Sequence, residues 1–156
     1  KKIEAGDIIR IEILGDMDNY RSNVTRTVVA GKPTEKQATT FAHLIRAREI
    51  CKTMLKPGTA VADVYRAYVA ACRENGIEPT LKFLGHGIGQ TIHEEPYLTD
   101  TRDIVFQPNI TFTMEPLYMI AGEFGLHAED MYVITKSGFD PITGNICPND
   151  ELIQVG

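Results

Sequence analysis

Residues 7 to 14, DIIRIEIL, alternate Ile9, Ile11 and Ile13 with Arg10 and Glu12, a period of two that predicts a strand with one apolar face and Glu12 on the other. The turn GDMDN follows, and YRSNVTRTVV (20 to 29) is rich in β-branched residues, so the two runs predict a hairpin with Glu12 and Asn23 on neighbouring strands. The period then becomes helical. Thr34, with Gln37 three residues on, is an N-cap signal ahead of Phe41, Leu44, Ile45, Cys51 and Leu55, with a stop at Pro57-Gly58. A second helix is expected from a Thr59 cap through Val61, Val64, Tyr65, Tyr68 and Cys72 to Gly76. Two further runs alternate again. ITFTMEP (110 to 116) puts Ile110, Phe112 and Met114 opposite Thr111, Thr113 and Glu115, and LHAEDMYVIT (126 to 135) continues the pattern with Glu129 on a polar face. With no linker or repeat, the expectation is a single α+β domain over residues 1–156.

Composition narrows the class. Apolar residues at 43 % and charged residues at 24 % are ordinary for a folded globular chain, and 156 residues suffice for one core burying about two thirds of the unfolded surface. A net charge of -5 argues against nucleic acid as a partner, because polyanion binding relies on clustered Lys and Arg; a small or peptidic partner is expected instead. No apolar run reaches the roughly 18 residues needed to cross a bilayer, so no membrane partner is expected. The start KKIEAGDIIRIEI lacks the apolar stretch of a signal peptide, which leads to a cytoplasmic expectation. Three cysteines without a CxxC pair predict neither a disulfide framework nor a cysteine metal site; Cys51 and Cys72 fall on apolar helix faces and are expected in the core.

The chemistry concentrates in FLGHGIGQTIHEEP (83 to 96). Gly85, Gly87 and Gly89 strip side-chain bulk from around His86, leaving its ring poorly packed by expectation, and His93 follows seven residues later. Taken singly, each feature has a bland explanation: a glycine-rich turn, a solvated loop histidine, a glutamate on a surface strand. Converged, one imidazole and several carboxylates would make an oxygen- and nitrogen-ligated site for a divalent ion, since hard and borderline cations take carboxylate and imidazole donors.

The order of Glu12, Asn23, GHGIG, HEEPY, TMEP and AEDMYVIT resembles the pita-bread superfamily of methionine aminopeptidase, aminopeptidase P, prolidase and creatinase, across essentially the whole chain. GHGIGQTIHEEPYL and AEDMYVIT are most similar to the Xaa-Pro peptidases. The resemblance implies a curved antiparallel sheet with helices on its outer face and a hydrolase of a C–N bond in a small peptide or amide. It also implies metal ligands at His86, Glu115 and Glu129, a homodimer, and catalytic roles for His86, for Glu115 as proton shuttle and for His93 as stabiliser of the tetrahedral intermediate. The family's chain has further elements ahead of the first ligand strand, so this one reads as the C-terminal part of a longer protein.

Two positions depart from the family pattern. Two aspartates eleven residues apart complete the family's two-ion centre, and here those positions carry Glu12 and Asn23. Glu12 lengthens the chelating arm by a methylene, and Asn23 offers a neutral amide where a bridging carboxylate is needed. The expectation is therefore one divalent ion (Mn, Co, Zn or Fe) rather than two. Two alternatives stay open: a metal-free hydrolase resembling creatinase, with His86 as general acid and base and the glutamates gripping a cationic substrate, and a catalytically silent binding module of the same fold.

Overall fold

The N-terminal alternation folds as a hairpin in the computed structural model, which describes all residues from Lys1 to Gly156. Strand β1 (Ile8–Met17) pairs antiparallel with β2 (Tyr20–Ala30). The expected five-residue turn tightens to Asp18 and Asn19, whose positive φ of 53° and 65° suit the two-residue turn that matches strand twist. Glu12 stands opposite Thr25 and Leu14 opposite Asn23, so Glu12 and Asn23 are diagonal neighbours on one face. The isoleucine face of β1 is not in the core: Ile11 and Ile13 are 43 % and 58 % exposed. The buried strand is β2, enclosed on both faces from Thr25 to Val29.

Helix α1 (Glu35–Lys52) begins at the expected capping box, Thr34 accepting from the Gln37 N–H while the Gln37 side chain accepts from the Thr34 N–H. It ends before the expected Pro57-Gly58 stop, because Thr53 closes the last turn with hydrogen bonds to Ile50 O through both its N–H and its hydroxyl. Helix α2 (Val61–Glu74) has Ala60, not Thr59, at its N-cap and no side-chain cap. The segment around residues 104–106 supplies the missing partners: Val61 N–H donates to Ile104 O, and Thr59 O accepts from Phe106 N–H. Gly76, at φ 71°, follows the helix as expected.

Four strands then follow in succession: β3 (Thr111–Met114), β4 (Leu117–Ile120), β5 (Phe124–His127) and β6 (Asp130–Ile134). The 126–135 run, expected as one strand, is therefore two. Its first part pairs with β4 and its second with β3, and Ala128 and Glu129 make the crossing while Glu129 bridges to Thr25 of β2. Strand β7 (Phe139–Pro141) extends the β3–β6 sheet, and β8 (Ile153–Val155) pairs with β2 in parallel, an exception in an otherwise antiparallel arrangement. Phe112 and Met114 of β3 enter the same apolar cluster as Phe41, Leu44 and Tyr68 of the helices. The alternation turns Thr113 and Glu115 to the other face, which is where the polar residues gather. Cys51 and Cys72 lie in the core, as expected. No helix is long and apolar enough to cross a membrane.

Candidate metal centre

His86 rides on an extended segment threaded between β3 and residues 94–98. Thr113 N–H donates to His86 O and Glu115 N–H to Leu84 O on one side, while Leu84 N–H donates to Leu98 O and Gly87 N–H to Pro96 O on the other. A Cβ at Gly85 would overlap the Thr113 carbonyl, and one at Gly87 the Glu95 carbonyl. These glycines are there for close backbone approach. They do not loosen the histidine, contrary to the expectation above: its side chain is fully buried.

The ring is oriented by one bond. Nδ1 lies 2.9 Å from Gly87 O, an acceptor only, so Nδ1 carries the proton and Nε2 presents its lone pair. That lone pair faces Glu115 Oε1 at 3.2 Å, and neither atom has a hydrogen-bond partner although both are buried. Two acceptors held this close in a buried place call for a cation or an additional proton between them. Glu129, fully buried, completes the set; His86, Glu115 and Glu129 each offer one donor atom, all within 4.8 Å of one another. One imidazole and two carboxylates suit a borderline divalent ion with coordination positions left open.

The two departing residues take another role. Asn23 Nδ2 donates to Glu129 Oε1 at 2.9 Å and reaches Glu12 Oε1 at 3.4 Å, while Thr25 Oγ1 donates to Glu129 Oε2 at 2.8 Å. The amide thus ties two carboxylates together as a hydrogen-bond donor. His93 is exposed, its ring centroid 3.9 Å from that of His86 and tilted by 53°. It sits at the mouth of the cluster.

Burial and charge set the proton affinities. Burial opposes the charged form of His86, yet its contact with Glu115 and the bond to Gly87 O leave the imidazole above its ordinary value. Burial likewise works against the Glu115 anion, and His127 and His86 outweigh it, holding the carboxyl below the usual range. Glu129 is pushed up to about 8, first by burial and then by the Glu115 charge. Burial, followed by repulsion from His86, lowers His93.

Three neighbours escaped the sequence reading. His127, at the end of β5, is 4 % exposed and places Nε2 3.4 Å from Glu115 Oε2. Arg26 donates from Nη1 to both Thr25 O and Glu129 O, the carbonyls of the bridge that carries Glu129, and from Nη2 to Asp130 Oδ1 at 2.8 Å. Asp130 also accepts from Arg48 of α1, Thr143 and Asn149. The available signals were an arginine between two threonines in a β-branched strand, and a histidine two residues before Glu129.

The fold is of the pita-bread peptidase type, and its His86, Glu115 and Glu129 cluster is a group that could hold a metal ion. The metallopeptidase family M24 profile matches residues 1–136, and the chain belongs to that family. It is 31 % identical over 155 residues to a probable dipeptidase PepE of Mycobacterium tuberculosis, covering 98 % of this chain and 41 % of that protein. Over 144 residues it is 31 % identical to an Xaa-Pro dipeptidase of Pyrococcus furiosus, covering 92 % and 41 %. The crystal structure of dipeptidase PepE from Mycobacterium ulcerans superposes with a TM-score of 0.93 at 31 % identity, over 99 % of this chain and 42 % of that one. The chain thus spans about two fifths of the length of these relatives.

Proposed function

We propose that this chain carries the metal centre of an Xaa-Pro dipeptidase-like hydrolase, acting on the C–N bond of a small peptide with one divalent ion, Mn, Co, Zn or Fe. The observation that carries the reading is the pair of buried, unpartnered acceptors, His86 Nε2 and Glu115 Oε1, facing each other beside Glu129. His86, Glu115 and Glu129 would hold the ion, whose contribution when bound is Lewis acidity and a lowered pKa for water. Glu115 takes the proton of the attacking water as its oxygen adds to the amide carbon. Negative charge then develops on the carbonyl oxygen, where His93, exposed beside the His86 ring, donates a hydrogen bond. As the C–N bond breaks, the leaving nitrogen receives the proton from Glu115. Family membership and the names of the relatives support the substrate class.

A second, metal-free reading has its own support. Glu12 and Asn23 form a hydrogen-bonded pair, and a proton could occupy the His86–Glu115 contact, which fits a creatinase-like use of His86 as general acid and base. A homodimer and a cytoplasmic location complete the proposal, the first checked by sedimentation of the purified chain. The deciding assay follows hydrolysis of Xaa-Pro dipeptides and of a guanidino amide with manganese and after chelation. Manganese-dependent dipeptide cleavage that disappears in His86→Ala supports the leading reading. Chelator-resistant cleavage of the guanidino substrate favours the second, and no cleavage of either by the folded, manganese-supplied chain contradicts both.

A further inference from the structure

His127 is a buried imidazole with neither ring nitrogen hydrogen-bonded, an uncommon state for a group whose desolvation is costly. Its backbone is fixed. The His127 N–H donates to Thr27 Oγ1 at 2.9 Å, the same hydroxyl donates to His127 O at 2.7 Å, and the residue pairs with Leu117 across β4 and β5. With the backbone fixed and the side chain buried, the ring is enclosed, and the polar atom it faces is Glu115 Oε2, 3.4 Å from Nε2. Glu115 is thereby shared: Oε1 meets the lone pair of His86 at 3.2 Å, and Oε2 meets His127. The two sides differ. His86 has committed its proton to Gly87 O, so it offers Oε1 no hydrogen, whereas His127 has no competing acceptor and can carry its proton on Nε2.

Resting on the proposed role of Glu115 as a metal ligand, we infer that His127 is a positioning residue for that ligand: its Nε2–H holds Glu115 Oε2, leaving Oε1 directed at the ion shared with His86 and Glu129. A carboxylate held by one oxygen loses the option of swinging both onto the ion, which keeps a coordination position open. It also loses the freedom to turn away, which preserves affinity. Partners that orient metal ligands in this way are typically worth 10- to 100-fold in affinity or activity.

The test is a titration of the metal-free chain with cobalt(II), read by calorimetry and by the visible absorption bands of the bound ion, for His127→Ala, His127→Gln and His86→Ala. Thermal melts of the metal-free proteins verify that each variant folds. Weakening of cobalt affinity by 10- to 100-fold in His127→Ala, with altered absorption bands and substantial recovery in His127→Gln, whose amide can still donate to Oε2, supports the inference. A folded His127→Ala that binds within about threefold of the parent and with the same spectrum overturns it. If His127→Ala does not fold, His127→Met, which fills the space of the ring without a donor, takes its place beside His127→Gln: weakened cobalt binding with altered bands in His127→Met alone supports the inference, and parent-like binding in both overturns it. His86→Ala separates the two levels, because undiminished cobalt binding there would reject the metal site itself, whereas loss there with no effect at His127 would reject only the positioning role.

Discussion

Glu129 is the residue whose protonation distinguishes the metal-free from the metal-loaded site. Its carboxyl is pushed up to about 8, which favours the protonated form at neutral pH in the metal-free chain, although it already accepts from Thr25 and Asn23. A group with a folded value above its unfolded value stabilises fully below the unfolded value, near 4.5, and that contribution is lost as pH rises through about 8. The metal-free chain should therefore lose several kcal/mol between about pH 5 and 8.5, as measured by urea unfolding across that range. The raised His86 acts in the same direction; the depressed Glu115 acts oppositely, and only at acid pH. Glu129→Gln should flatten the profile. Ion binding near pH 7 should release protons, from Glu129 foremost and from the raised His86 in addition, read from calorimetry in buffers of different ionisation heat. At Gly85, whose added Cβ would overlap the Thr113 carbonyl, Gly85→Ala should cost a few kcal/mol, because backbone cannot step aside as a side chain can.

At the scale of elements, the site depends on a junction that is not regular structure. Glu129 lies between β5 and β6, attached to β2 by a two-bond bridge, and Arg26 clamps both carbonyls of that bridge while pairing with buried Asp130. Arg26→Leu would leave Asp130 with Arg48 as its remaining cation and would free the bridge. The expected cost is about 3–5 kcal/mol in unfolding, together with weaker metal binding. Retention of parent stability would show that the bridge does not need the clamp. Some of this architecture was legible beforehand. The hairpin followed from period two, the α1 start from Thr34 and Gln37, and the facing of Glu115 from alternation about Phe112 and Met114, because each is set by neighbours in sequence. The rest depends on distant partners. Ala60 could replace Thr59 as a cap only because residues 104–106 come alongside, and the 126–135 run divides because two different strands compete to pair with it. That crossing also explains why His127 went unread: its partner is Glu115, reached through the junction of β4, β5 and β6 rather than along one strand.

At the scale of the whole molecule, family membership fixes the fold, and two substitutions within it shape the proposed chemistry. Asn23 is a hydrogen-bond donor that links Glu129 and Glu12, and in the proposed metal centre its neutral amide would leave a second dication without the negative charge needed to screen it. The double change Glu12→Asp and Asn23→Asp should shorten the arm, restore that charge and create a second binding event for manganese. The most direct measurement is the stoichiometry of manganese binding to the unmodified, metal-free chain, followed by calorimetry with His86→Ala as the control. One equivalent, lost in His86→Ala and accompanied by dipeptide cleavage, is the predicted result; two tight equivalents in the unmodified chain, or none at all, would contradict it.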